Sequence, residues 1–400
     1  MKRTWLSLLV CAAIALSVGV FAFGQETPVS LKGYSIAIPM VGNTPEQALR
    51  ESEAGTTIPV WTYRTSTTVD GNVYTGQIMG NIPGITGTTT IPTFLIPLIV
   101  NMPDGGVFDP TVADPTCAGG NVPLTLMQNS PLFQNSGPFM YGNPARNIGT
   151  TQYIDALQRA EFWKIVGSSV GNSQWHTLFG LNTTTTQTVN VPAGKGATYN
   201  AGSLGGCGFI GVVDLNWLNG YVTNTLIPSL SGQGVGPTTF AEIFMYNVVM
   251  GDPGDNLFAN CCVLGFHSAF GSPVQVYSPG EFDTNRLFGA ASQDISVEAH
   301  EMGEAMDDPL VNNGTPAWGH IGQVSGCQNN FEVGDPLTGT QNPPITINGY
   351  TYHPQELAMY SWFLRPNIMQ LPYPGLLGDT GVPSWYSTNG TFTSFQGICH

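Results

Sequence analysis

A chain of 400 residues with 26 acidic and 11 basic side chains carries a formal net charge of −15, which argues against nucleic acid or an anionic membrane surface as partner. Only 9% of its residues are charged, where an average soluble domain has about 25%, so Asn, Thr, Ser, Gln and Gly must build much of the surface. Few ionisable groups also limit the stability lost when carboxylates take up protons, and tolerance of acidic surroundings is expected.

The chain opens Met1-Lys-Arg-Thr-Trp, continues through an apolar run from Leu6 to Phe21 and reaches small residues at Ala22-Phe-Gly24. A basic start, a short apolar middle and small residues before a cleavage point describe a secretory signal peptide over residues 1–24. No later run is long and apolar enough to span a bilayer. The expectation is an exported protein, extracellular or periplasmic, with no stable membrane insertion. The cysteines beyond the leader are Cys117, Cys207, Cys261, Cys262, Cys327 and Cys399, an even set that suggests disulfides in an oxidising compartment. Adjacent Cys261 and Cys262 would most simply reach two different partners. No C-x-x-C is present, so zinc held by thiolates is not expected.

Residues 25–145 read as a β-rich N-terminal portion. Short apolar runs at 34–39, 58–63 and 93–100 alternate with Gly, Pro, Asn and Thr turns. Residues 146–400 read as a second part that would carry the chemistry. Tyr153, Leu157, Ala160 and Trp163 fall at helical spacing and predict a helix over 149–166. The Thr-rich run 182–188 reads as a strand or an exposed loop. A strand from Phe209 would run into a helix that stops before Pro228, and 238–250 reads as one strong strand. Strand-like runs at 262–270 and 274–277 then precede a helix.

That helix spans Asp294 to Pro309 and holds the most informative residues of the chain. Asp294 is positioned to cap it, Pro309 to end it, and Ile295, Ala299, Met302 and Met306 form an apolar stripe. His300 and Glu304 lie one turn apart with Glu301 beside them, in an H-E-x-x-E pattern. In the related H-E-x-x-H form, two side chains four residues apart hold zinc while the adjacent glutamate activates water. Carboxylate oxygen is an acceptable zinc ligand, so Glu304 in the second position keeps the site but makes it harder and more anionic. Zinc is the expected metal, with calcium as the alternative because it takes oxygen ligands.

A helix, then strands, then the motif helix is similar to the order in zincin peptidase domains, where an edge strand pairs with extended substrate beside the metal. On that likeness the chain is expected to be α+β, a zincin-like metal domain of mixed sheet plus H-E-x-x-E helix behind the β-rich portion. His267, in Gly265-Phe-His-Ser-Ala-Phe, would lie on the edge strand and stabilise an oxyanion or bind substrate. The region 240–365 resembles exported bacterial zincin-like proteins in four segments: His300-Glu-Met-Gly-Glu304, Asp307-Asp-Pro309, Trp318-Gly-His320 and Glu332-Val-Gly-Asp335. It is similar, more weakly, to the plant phosphate-induced Exordium-like secreted proteins.

A catalytic zinc takes three protein ligands and one water, so a third ligand must join His300 and Glu304. Glu332 is the first choice and His320 the second, each following the helix after a loop. Asp307 and Asp308 would orient His300, bind calcium or only make the turn. No P-loop, no G-x-G-x-x-G after a strand and no G-x-S-x-G elbow is found. The expected function is a secreted metal-dependent hydrolase, a zinc peptidase with Glu301 as general base acting on a peptide or protein. The rival is a non-catalytic extracellular protein with a structural calcium or zinc.

Overall fold

In the strand Phe240–Tyr246 every residue is buried, with Phe240 and Phe244 facing one core and Ala241, Ile243 and Met245 the other. A strand apolar on both faces belongs inside a sheet. Here it pairs in parallel with Gln275–Phe282 on one side and Thr88–Asn101 on the other. These belong to an 11-stranded mixed sheet among the described residues. The computed structural model describes residues 33–365 apart from 84, 86, 142–144, 168–173 and 252–260, together with 386–392 and 399. They lie in one compact unit, Leu31–His400. The expected leader lies outside the described residues.

The fold is mixed α+β, with the sheet running Gly196–Asn200, Phe209–Asp214, Val248–Gly251, Cys261–Phe270, Gln275–Phe282, Phe240–Tyr246 and Thr88–Asn101. Thr88–Asn101 also pairs in parallel with His176–Thr183 and Gln187–Asn190. Strands from residues 25–145 and from 146–400 thus share one sheet. Helices Tyr153–Glu161 and Trp163–Val166 occupy the predicted 149–166 stretch.

Three local expectations are corrected. The run 238–250 is two strands, because Asn247 turns the chain with φ 51° and sends Val248–Gly251 to other neighbours. Asn tolerates that left-handed conformation, and its side chain binds Thr284 through both Oδ1 (2.9 Å, from the backbone N–H) and Nδ2 (3.0 Å, to Oγ1). The helix after Asp214 does not stop before Pro228; it continues through a wider turn, Val222–Leu226, into Ile227–Ser229. Cys261 and Cys262 pair with each other, while Cys117 pairs with Cys207 and Cys327 with Cys399.

The helix Ser296–Asp307 lies against the sheet face made by Cys261–Phe270 and Gln275–Phe282, and all its residues are buried. Ala299, Met302 and Met306 enter the large core as the predicted stripe. Close approach depends on two glycines that are register partners across those strands, Gly265 and Gly280. A Cβ at Gly265 would fall 2.7 Å from Val297 Cγ1 and 2.8 Å from Glu301 Cγ, and one at Gly280 would fall 3.2 Å from Glu298 Cγ. Asp294 does not cap the helix: Ile295 occupies that position, and Asp294 binds His353 Nδ1 at 2.6 Å and its backbone N–H at 2.9 Å. After the helix, the hairpin Gly314–Ile321 and Val324–Asn330 leads into the segment bearing Glu332 and Asp335. Among the described residues no helix is long and apolar enough to cross a membrane.

Candidate metal centre

Three acidic or imidazole side chains meet on the inner side of the helix. His300 Nε2 lies 3.0 Å from Glu304 Oε1 and 3.5 Å from Asp335 Oδ1. The helix brings the first two together by its one-turn spacing. Asp335 arrives from the loop after the hairpin, where Gln328 Nε2 holds its Oδ2 at 2.9 Å and Gln323 binds Oδ1. Gly334 must be glycine, because a Cβ there would fall 2.5 Å from His300 Nδ1 and nearer still to its Cγ; its backbone N–H donates to Glu304 Oε1 at 3.1 Å.

A second group adjoins the first through the same Glu304. His267 Nδ1 lies 3.4 Å from Glu304 Oε2, 3.6 Å from Glu301 Oε2 and 3.9 Å from Glu332 Oε2. Asn330 Nδ2 donates to the other oxygen of Glu332 at 3.0 Å. Ligand atoms of His300, Glu304 and Asp335, and likewise of His267, Glu301 and Glu304, lie within 4.8 Å of one another, so either group could hold a metal ion.

The outer hydrogen bonds favour that use. His267 Nε2 donates to the Asp308 carbonyl at 3.1 Å, and His300 Nδ1 donates to Gln355 Oε1 at 3.1 Å. A ligating histidine commonly gives its remote N–H to a carbonyl in this way, which sets the tautomer and frees the other nitrogen. The freed atoms, His267 Nδ1 and His300 Nε2, make no hydrogen bond among the described residues, nor does either oxygen of Glu301 or Glu332 Oε2. All of these side chains are at most 1% exposed. Buried polar atoms without partners are costly, and a divalent cation would satisfy this donor set.

Electrostatics inside the centre are tightly linked. Burial opposes charge on both histidines, but Glu332, Glu301 and Glu304 around His267, and Glu304 and Asp335 around His300, push each pKa well above its usual value. Burial also works against the Glu304 carboxylate, yet the two histidines overcome it and hold its pKa low. Glu301, Glu332 and Asp335 are pushed up, first by burial. Without a cation the centre must therefore share protons among its acids and imidazoles.

The predicted residues separate here. His300, Glu301, Glu304 and His267 enter the two groups, whereas Glu332, the first choice as third ligand beside His300, enters neither and faces His267 Nδ1 at 3.9 Å, Asp335 taking its place. His320 also enters neither: it is exposed on the hairpin, with Nε2 3.6 Å from Cys327 Sγ. Although His320, Cys327 and Cys399 lie close together, the cysteines are joined to each other and offer no thiolate. His267 is not on an edge strand, because Tyr34–Ala37 covers that side in parallel register, Ala37 opposite His267. Asp308 acts on His267 through its carbonyl rather than on His300, and its carboxylate accepts the Asn312 and Asn313 backbone N–H groups. The sequence does not single out Asp335 as a candidate ligand; its place three residues after Glu332 is the available signal. Gln355 had no local signal. Nor did buried Glu242 and Glu298, which meet beside Gly280.

No family model, curated protein or solved structure matches the chain.

Proposed function

We propose that the protein is a secreted metal-dependent hydrolase, a zinc peptidase of zincin type, in which His300, Glu304 and Asp335 hold the ion. The carrying observation is the convergence of these three donors within 4.8 Å, two of them on a helix that also presents Glu301, whose oxygens have no hydrogen-bond partner among the described residues. Three protein ligands leave a position for water or substrate, the arrangement of catalytic rather than structural zinc. A divalent cation there supplies a Lewis acid for the scissile carbonyl and lowers the pKa of water. Glu301 takes a proton from the attacking water as the C–O bond forms and returns it to the departing amine as the C–N bond breaks. Export rests on the composition of the leader and the three cysteine pairs. The motif resemblance to exported zincin-like proteins belongs to the same reading.

The test is hydrolysis of a mixed peptide library by the metal-loaded protein beside Glu301→Gln and His300→Ala. Glu301→Gln should keep the ion bound at His300 and lose cleavage, and His300→Ala should lose both. Equal cleavage by wild type and Glu301→Gln ends the proposal.

One observation favours a second reading. With His267, His300, Glu301, Glu304 and Glu332 at most 1% exposed, the centre is as enclosed as a structural metal site. In that case the ion ties the helix Ser296–Asp307 to the loop bearing Asp335, and the Asn- and Thr-rich β portion binds an extracellular polymer. Metal bound tightly with no cleavage of any peptide selects this reading.

A further inference from the structure

Glu304 turns a different oxygen to each histidine, Oε1 to His300 Nε2 at 3.0 Å and Oε2 to His267 Nδ1 at 3.4 Å. The two possible ligand groups share Glu304 and no other residue. A carboxylate that offers one oxygen to each of two donor sets is the usual bridge of a binuclear centre, whose ions lie about 3.5–4 Å apart.

Three further observations point the same way. Both histidines, not one, give their remote N–H to a fixed carbonyl oxygen and turn the inner nitrogen, which makes no hydrogen bond among the described residues, towards the carboxylates. The outer bonds would be needed at only one of them if a single ion were held. The charge count also favours two ions: with Glu301, Glu304, Glu332 and Asp335 all ionised, one divalent cation would leave two of these four negative charges uncompensated in a site almost without solvent, beside the further buried carboxylate of Asp308. Finally, the donor sets differ in completeness. His267 has three carboxylates around it, Glu301, Glu304 and Glu332, whereas His300 has two, Glu304 and Asp335.

We propose that the chain binds two divalent cations bridged by Glu304, one closed within His267, Glu301, Glu304 and Glu332, the other held by His300, Glu304 and Asp335 with a position open. Mixed imidazole and carboxylate donors suit zinc or manganese. The inference extends the metal site of the proposed hydrolase, and its count of ions is independent of any cleavage. It makes Glu301 a ligand of the closed ion as well as the group beside the open one.

The experiment is metal content of the purified full chain, saturated with zinc and freed of excess, measured by inductively coupled plasma mass spectrometry. Manganese-loaded samples are followed in parallel by electron paramagnetic resonance. Two zinc ions per chain are expected, falling to one in His267→Ala and in the near-isosteric Glu332→Gln, with an exchange-coupled manganese spectrum that becomes uncoupled in both variants. Circular dichroism of Glu332→Gln checks that the fold persists. One ion per chain in wild type, unchanged in both variants, overturns the proposal, as does a stoichiometry of two with an uncoupled spectrum. Two coupled ions with no peptide cleaved would sink the hydrolase reading alone, and one ion with cleavage would sink the binuclear centre alone.

Discussion

Gln355 accepts a hydrogen bond from His300 Nδ1 at 3.1 Å while donating its own amide to the Gly334 carbonyl at 2.8 Å. The second bond fixes which end of the amide faces the ring, so His300 is held with its proton on Nδ1 towards Gln355 and with Nε2, the nitrogen a cation would take, facing Glu304 and Asp335. Gln355→Leu keeps the volume and removes the acceptor. Zinc affinity should fall about 10–100-fold, the usual effect of losing such a partner. A chelator-competition titration measures it; an unchanged affinity would mean that packing alone orients the ring.

Gly265 sets how closely the helix Ser296–Asp307 lies on the sheet. Its substitution by alanine would put a methyl group 2.7 Å from Val297 Cγ1 and 2.8 Å from Glu301 Cγ, both near the helix backbone and unable to swing clear. Gly265→Ala should cost about 1–3 kcal/mol, typical of overpacking, and weaken metal binding together with it. Gly326→Ala, where a Cβ meets nothing within 4 Å, is the control and should leave the denaturant midpoint within experimental scatter. Equal midpoints for the two variants would show that the helix can rise without loss.

Asp283 and Glu281 are buried, lie outside both candidate ligand groups and interact with each other. Burial, opposed by the Arg286 and Asn285 backbone N–H groups and reinforced by Asp294, raises Asp283 from 3.8 to about 7; burial and then Asp283 raise Glu281. The folded chain thus keeps protons that the unfolded chain releases above about pH 4, and more protons in the folded state mean stability that falls as pH rises. For the metal-free protein, the unfolding free energy should decline from about pH 4 towards 7, at up to about 1.4 kcal/mol per pH unit for one such group. Asp283→Asn should flatten that decline. Denaturant midpoints across this range decide it, and a rise with pH would reverse the assignment. The acid tolerance expected from low charge density acquires a second cause here, carboxylic acids buried in neutral form.

The Cys117–Cys207 bridge closes a sequence separation of 90 residues and ties the loop after Val107–Phe108 to the start of the strand Phe209–Asp214. Loops of this length restrict the unfolded chain strongly. Replacing both cysteines by serine should lower stability by about 2–5 kcal/mol, read as a shift in the guanidinium midpoint, with metal content retained because the bridge lies outside both ligand groups. Loss of metal in the same variant would tie the loop to the centre.

How much of this was legible in the sequence follows from the range of each interaction. The helix bearing His300, Glu301 and Glu304, the stripe of Ala299, Met302 and Met306, and the helix at Tyr153 were readable because a 3.6-residue period is local and one chain segment contains it whole. Apolar runs between proline, glycine and polar turns likewise marked the strands Tyr34–Ala37, Val60–Ser66, Thr88–Asn101, Phe209–Asp214, Phe240–Tyr246, Cys261–Phe270 and Gln275–Phe282. The break at Asn247 was not readable: both flanking segments are equally apolar, and a hydrogen-bonded partner at Thr284 makes the turn. Nor was the pairing of Cys261 with Cys262, since residue type carries no connectivity.

The site divides along the same line. Sequence by itself determined that an imidazole and two carboxylates share one side of a helix, and that acidic residues of the Glu332-Val-Gly-Asp335 segment follow it. Tertiary structure alone decided that Asp335 rather than His320 joins His300, that Glu332 turns to His267, and that His267 lies inside the sheet with Tyr34–Ala37 beside it. Sheet register and the paired glycines Gly265 and Gly280 place the strand histidine under the second oxygen of Glu304. Such a placement depends on contacts between segments far apart in the chain, which helical periodicity does not encode.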